Sequence, residues 1–430
     1  MLNSKYAIIG SGPAAFYAAE AIRKKDREGK LVMIGAEGYL PYFRPLTSYY
    51  LAGLVPKEKL FFRQADYYRR QKIEFIKATV TEVKGREKIL TFKPLDSDDS
   101  DDKEKSNQKL QFAKLLIASG AAPVKPDIPG MDIPGVYVLR TIDDAVKIAA
   151  RAGKCKKAVL LGGGLVSLKA AYALHKIGLE TTLVIASSRV LSQMLDHKGA
   201  EIIAAHLAEN GIGMVFKNDL AEIRGDGAGV TGVTLADGRQ LETDLIVVGK
   251  GVKPVTSFLE GSGLHVERGV PVNDRLQTNL PDIYAAGDAA LCRDILSSER
   301  VLNALWPNAA AQGEIAGANM SGERLVYRGS MRMNATEFFG LPVIAAGLAR
   351  VQNGAGAPWE IYQVQNSLSL RKEPFYMRLV FQEEYLVGYV IIGESRKAGM
   401  LTNLIMSRQP LERGRKERLI NGDLSYKILL

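Results

Sequence analysis

Gly10-Ser11-Gly12-Pro13-Ala14-Ala15 is the segment of this chain whose residue types and spacing point most directly to a chemistry. A first glycine permits a tight turn, and a second lets the backbone approach a pyrophosphate. A small third residue then lets the following helix pack on a sheet. Gly10, Gly12 and Ala15 fill those places, with Pro13 and Ala14 opening the helix. The helix N-terminus offers unpaired N–H groups and a positive dipole end to phosphate oxygens. Glu37, 22 positions after Ala15, is placed to accept from the ribose hydroxyls of an adenosine. The pattern recurs at Gly162-Gly163-Gly164-Leu165-Val166-Ser167, with Lys169 following on the same helix.

Such turns need a strand leading in and a helix leading out. Lys5–Ile9 reads as a buried strand, a helix runs through Ala18, Ala19 and Ile22, and Leu31–Ile34 reads as a second strand. Around the second turn, Lys157–Leu161 and Thr181–Ile185 read as strands flanking a helix over Leu168–Ile177. Two dinucleotide folds in one chain point to one tightly held dinucleotide and one exchanging one. Alternating segments Val80–Val83, Ile89–Phe92 and Lys109–Phe112 follow the first unit, and Asp244–Val248 follows the second. Then come a strand ending in Gly287-Asp288 and a helix beginning near Pro307. From about residue 328 the pattern shifts to mixed strands, Tyr376–Phe381 and Leu386–Ile392, and a late helix after Gly399. The expected fold is α/β: two Rossmann-like dinucleotide-binding domains plus a C-terminal α+β domain.

Composition is that of a globular protein, with 430 residues, 47% hydrophobic and 24% charged positions, which suggests about two or three domains. The longest uncharged stretch, Tyr6–Ala19, is too short to span a bilayer as a helix. Because that stretch is explained as a cofactor loop rather than a leader, a cytoplasmic location is expected. Cys155 and Cys292 are too few to ligate an iron–sulfur cluster and share no short redox spacing, so both are expected to be buried thiols. The net charge of +10 is spread along the chain, which disfavours nucleic acid. His175, His197, His206 and His265 form no metal-ligand spacing. The acid-rich run Asp96–Lys105 lacks calcium-loop spacing and reads as a solvated loop.

The chain resembles the pyridine nucleotide–disulfide oxidoreductase superfamily of flavoproteins over essentially its whole length. Beside the two turns, Leu115-Leu116-Ile117-Ala118-Ser119-Gly120 resembles that family's crossover between domains. Ile283–Asp288 resembles its second FAD signature, whose Asp meets the ribityl chain. The string from Glu37 to Ser48, with Leu305-Trp306-Pro307-Asn308, is most similar to NADH:rubredoxin oxidoreductases and related ferredoxin reductases. The resemblance implies FAD held by Gly10, Gly12, Pro13, Ala14, Ala15, Glu37, Val80, Ser119, Gly120, Gly287 and Asp288. Arg44 and Pro45 would lie beside the isoalloxazine, with Trp306 and Pro307 at a helix N-terminus aimed at its N1 edge, where reduced flavin carries negative charge. NAD(P)H would meet Gly162, Gly164, Leu165, Val166 and Lys169. It further implies FAD on residues 1–122 plus 253–327, the nicotinamide nucleotide on 123–252, and a C-terminal interface domain over 328–430 covering the flavin.

Three departures sharpen this picture. No Cys lies in Arg44–Ser48, so disulfide and peroxide chemistry is not expected. Ser167 stands where the family has Gly, and Lys169 where many members have Glu. Ile185 replaces the ribose acid, leaving Ser187, Ser188 and Arg189 as a faint 2′-phosphate site, with NADH and NADPH both open. The implied function is an electron-transfer oxidoreductase, passing electrons between NAD(P)H and a small carrier protein or an iron–sulfur or metalloenzyme subunit. An electron-transfer subunit with a weakened nicotinamide site and an NAD(P)H oxidase are the alternatives. The basic residues Arg396, Lys397, Arg408, Arg413, Arg415, Lys416 and Arg418 read either as a solvated surface or as a docking face for an acidic carrier.

Overall fold

Tyr6, Ala7, Ile8 and Ile9 are all buried, as is the whole of Leu31–Gly35, the pattern of parallel strands covered on both faces. The computed structural model describes residues 1–95, 107–297, 299–352, 358–366 and 375–421. The acid-rich run Asp96–Lys105 lies outside these residues. Two units result: Met1–Thr47, Val55–Ala122 and Val252–Met331 make the first, and Ser48–Leu54, Pro123–Gly251 and Arg332–Leu430 the second.

In the first unit the parallel strands lie in the order Ile73–Lys84, Leu31–Gly35, Leu2–Ile9, Gln108–Ile117 and Ile283–Ala285. Leu2–Ile9, the strand that feeds the first glycine turn, sits in the middle. Beyond Lys77, the strand Ile73–Lys84 turns to an antiparallel pairing with Ile89–Pro94, which in turn pairs with the start of Gln108–Ile117. The helix Pro13–Lys25 crosses the helix Trp306–Met320 at very short range. A Cβ on Gly313 would lie 2.2 Å from the Ala14 carbonyl oxygen, and one on Gly317 would lie 2.3 Å from that of Ala18. Small residues four apart on each helix are therefore what bring these two helices together.

The second unit repeats the plan. Its parallel order is Ile212–Phe216, Glu180–Ile185, Lys157–Leu161, Leu245–Val248 and Val136–Val138, again with the strand before the glycine turn in the middle. An antiparallel excursion, Leu220–Asp226, Gly229–Leu235 and Gln240–Glu242, again separates the third strand from the fourth. The same unit holds a five-stranded antiparallel sheet in the order Met333–Phe338, Leu341–Gly347, Tyr385–Ile392, Phe375–Gln382 and Glu360–Asn366. Val343, Tyr376 and Ile392 of that sheet share one apolar core with Leu168, Ile203 and Leu245. The helices Ala398–Ser407 and Arg413–Ile420 end the described chain; the first contains Gly399 rather than following it. No helix among the described residues is long and apolar enough to cross a membrane.

Candidate cofactor sites

Gly10 has φ +117°, and a Cβ there would lie 2.1 Å from the Ala118 carbonyl oxygen, so only glycine fits. Its N–H donates to the Ile34 carbonyl at 2.8 Å, tying the turn to the second strand. Gly12 is the N-cap of the helix Pro13–Lys25, and no side chain caps that end. A Cβ on Gly12 would meet nothing within 4 Å. The first turn is thus uncapped, contains no acid and has open space in front of Gly12, the arrangement that accepts a phosphate. Ala14 and Ala15 are buried. Gly287 packs on Ala14, its would-be Cβ 3.1 Å from Ala14 Cβ, and its N–H donates to Gln312 Oε1 at 2.8 Å. The Gly287-Asp288 segment and the first glycine turn are therefore brought together.

Glu37 is not a free acceptor. Tyr42 donates its hydroxyl to one carboxylate oxygen and Arg44 donates to the other. Arg44 also donates to the Tyr42 hydroxyl at 3.0 Å. Burial would lower the Arg44 guanidinium pKa, but Glu37, Tyr42 and Asp288 outweigh it and raise the value. Arg44 forms an ion pair with Glu37, and Pro45, adjacent to it, is exposed. Ser119 donates its hydroxyl to the Val255 carbonyl at 2.7 Å, so it stitches the crossover, while Gly120 at φ +72° opens onto space. Val80 is buried opposite Phe92. Trp306 stacks on Phe43 at 5.7 Å and meets Tyr17 edge-on, and its Nε1 is buried without a partner. Such an orphaned donor fits a bound polar group. Pro307 is exposed in the first turn of its helix.

The second turn copies the first. Gly162 has φ +116°, a Cβ there would lie 2.5 Å from the Gly249 carbonyl oxygen, and its N–H donates to the Val184 carbonyl at 2.8 Å. Gly164 is the uncapped N-cap of the helix Leu165–Lys176 and opens onto space, with Leu165 half-buried and Val166 exposed. Lys169 turns its ammonium onto the Tyr49 hydroxyl and the Glu337 carbonyl, both at 3.0 Å. It also lies over the Tyr49 and Phe338 rings. Ile185 is 1% exposed and packs against Gly163, so an acid at that position would be buried rather than offered to a ribose. Tyr49 and Gly249 lie outside the motifs that the sequence offers. Only Gly249, a glycine directly after a buried strand, carried a local signal.

The expected docking charges are largely engaged within the unit. Arg396 pairs with Glu394 at 2.9 Å, and Arg413 with Glu417 at 3.1 Å. Lys416 pairs with Glu360 at 2.9 Å and lies 4.8 Å over the Phe381 ring. Cys292 is buried, which pushes its thiol up to about 12. Cys155 is only half-buried, contrary to expectation, because it sits at the chain turn before Lys157–Leu161 and its Sγ contacts the Arg151 and Asp244 carbonyls.

Residues 4–313 match the family model described as pyridine nucleotide-disulphide oxidoreductase. The chain belongs to that family. The oxidoreductase is 32% identical over 412 residues to the NADH-dependent phenylglyoxylate dehydrogenase subunit epsilon of Aromatoleum evansii, covering 95% of this chain and 93% of the relative. It is 28% identical over 348 residues to the NADH-rubredoxin oxidoreductase of Clostridium acetobutylicum, 81% of this chain and 82% of that one. The solved ferredoxin reductase of Rhodopseudomonas palustris superposes with a TM-score of 0.85 at 24% identity, covering 98% of both chains; that likeness shows the fold. FAD and NAD(P)H are the cofactors of this oxidoreductase. The open, uncapped turns at Gly12 and Gly164 and the orphaned Trp306 donor fit them.

Proposed function

We propose that this chain is an FAD-dependent NAD(P)H:acceptor oxidoreductase that exchanges electrons with a one-electron protein carrier or an iron–sulfur subunit. The observation that carries the reading is the repetition, in two units, of an uncapped helix behind a glycine turn that opens onto space. Gly12 and Ala14 would present N–H groups to the FAD pyrophosphate, with Pro13 setting the first helical turn, and Gly164, Leu165 and Val166 would do so to that of the nicotinamide nucleotide. Glu37, oriented by Tyr42 and Arg44, would meet the adenosine ribose. Asp288, Trp306 and Pro307 would serve the flavin end, and 328–430 the interface. Bound flavin supplies a hydride acceptor that can release electrons one at a time. Hydride transfer needs stacking geometry rather than a catalytic acid or base.

The names of the relatives support a protein acceptor: one is a subunit of a dehydrogenase and another acts with rubredoxin. The test is anaerobic mixing of the purified yellow protein with NADH and with NADPH, followed by addition of an oxidised iron–sulfur carrier. Rapid bleaching, then recovery as the carrier is reduced, is expected. A flavin that neither nucleotide bleaches would overturn the reading.

A further inference from the structure

In the first unit, the strand Ile283–Ala285 makes its last sheet bond from the Ala286 N–H to the Ile117 carbonyl at 3.0 Å. The chain then turns at Gly287, with φ +77°, against Ala14 and Ala309. Gly287 has left the sheet, so its N–H needs another acceptor. That acceptor is a side chain 25 positions later, Gln312 Oε1 at 2.8 Å, and Gln312 is 3% exposed.

A backbone N–H can only donate, so the Gln312 oxygen faces Gly287 and its amide nitrogen faces away. There Nε2 donates to the hydroxyl of the buried Tyr327 at 3.4 Å. Tyr327 is itself held, because its own N–H donates to the Asp274 carbonyl at 2.7 Å. Asn319, two turns further along the helix Trp306–Met320, secures the same segment: its Oδ1 accepts from the Leu325 N–H at 2.7 Å and its Nδ2 donates to the Leu325 carbonyl at 2.9 Å. Gln312 is therefore bonded at both ends and has one orientation. Its neighbour Gly313 brings this helix onto Ala14, so one turn of the helix meets both the first glycine turn and the Gly287-Asp288 segment. A buried amide satisfied at both ends specifies a single arrangement, where an apolar side chain of the same size would only fill the space.

We propose that Gln312 is a positioning residue for the flavin: it sets the Gly287-Asp288 backbone so that the Asp288 carboxylate meets the ribityl hydroxyls, and Tyr327 holds Gln312 in place. This rests on reading Asp288 as a residue of the flavin end. The physical reason is steepness. Hydrogen bonds weaken sharply with angle, so a small rotation of the peptide before Asp288 suffices to turn its carboxylate away.

The test is a double-mutant cycle on the flavin-loaded chain, read as the FAD dissociation constant from the fluorescence of flavin released on dilution. Asp288→Ala should weaken FAD binding about tenfold, the scale of one hydrogen bond to a charged group. Gln312→Leu should weaken it about as much in the native background, and by about twofold or less once Asp288 is alanine, because it acts through that residue. Gln312→Glu should keep native affinity within about threefold, since it offers one oxygen to Gly287 and the other to the Tyr327 hydroxyl, which can then donate. Tyr327→Phe removes the acceptor of Nε2 and keeps the ring; in the same cycle it should cost about threefold with Asp288 present and nothing without it, so the outcome does not hang on whether Gln312→Leu folds. Equal losses in the two backgrounds would overturn the proposal and leave Gln312 an ordinary buried amide. Native FAD affinity in both Gln312→Leu and Tyr327→Phe would overturn it too. Native affinity in Asp288→Ala would instead remove the reading of Asp288, and the proposal with it.

Discussion

A Cβ on Gly249 would lie 2.1 Å from Ser167 Oγ. Ser167 stands where the family's third turn glycine usually lies, and its hydroxyl donates to the Leu161 carbonyl at 3.2 Å from a fully buried position. The larger residue on the helix is thus accommodated by having no side chain on the facing segment after Leu245–Val248. Gly249→Ala should cost about 1–3 kcal/mol by overpacking. Ser167→Gly in the same chain should recover most of that loss. Denaturant unfolding of the two single variants and the double variant measures the coupling. Additive losses would mean that the two positions are independent.

Gly12→Val should separate folding from flavin binding. The added side chain meets no protein atom within 4 Å of its Cβ, so the unliganded protein should keep its stability. It would occupy the space in front of the helix N-terminus, where the pyrophosphate has to approach. The purified variant should be colourless and folded by circular dichroism. Full flavin absorbance would show that the first turn does not face the cofactor.

Asp26, the C-cap of the helix Pro13–Lys25, ties the loop before Leu31–Gly35 to the strand Leu2–Ile9. It accepts from Lys5 Nζ at 2.6 Å, from the Gly29 N–H at 2.7 Å and from the Tyr6 hydroxyl at 2.9 Å. The Lys5 hydrogen bond, then the Gly29 N–H, hold its carboxyl well below the ordinary value. A carboxylate with a depressed folded-state pKa stabilises fully above its unfolded value, about pH 4, and loses that stabilisation as pH falls through the folded value. Asp26→Asn should therefore lower stability at pH 7 by about 1–2 kcal/mol. The gap between variant and native protein should close as the pH is lowered below about 4. A gap independent of pH would show that the carboxylate charge is not what matters.

The two thiols should take no part in turnover. Cys292 is held protonated by burial, with a pKa near 12, and burial also raises that of Cys155. Thiolate is the reactive form, so iodoacetamide at neutral pH should modify neither quickly in the native state. The Cys155→Ser, Cys292→Ala double variant should retain NADH-dependent reduction of an artificial acceptor. Loss of that activity with the flavin still bound would return a cysteine to the mechanism.

The sequence alone determined what local chemistry determines. Gly10 and Gly162 are legible because a left-handed backbone beside a carbonyl excludes every other residue. The buried runs Tyr6–Ile9 and Ala158–Leu161 are legible because parallel strands covered on both faces are continuously apolar. The tertiary structure decided what depends on distant partners. Only the fold shows that Arg44 belongs to Glu37, that Lys169 turns to Tyr49, and that Ile185 is packed beneath Gly163. Only the fold sets Arg350 on the Ser192 carbonyl, 158 positions earlier in the chain. Side-chain type fixes which interactions are possible, while register and crossing distance, set by hundreds of remote contacts, choose among them.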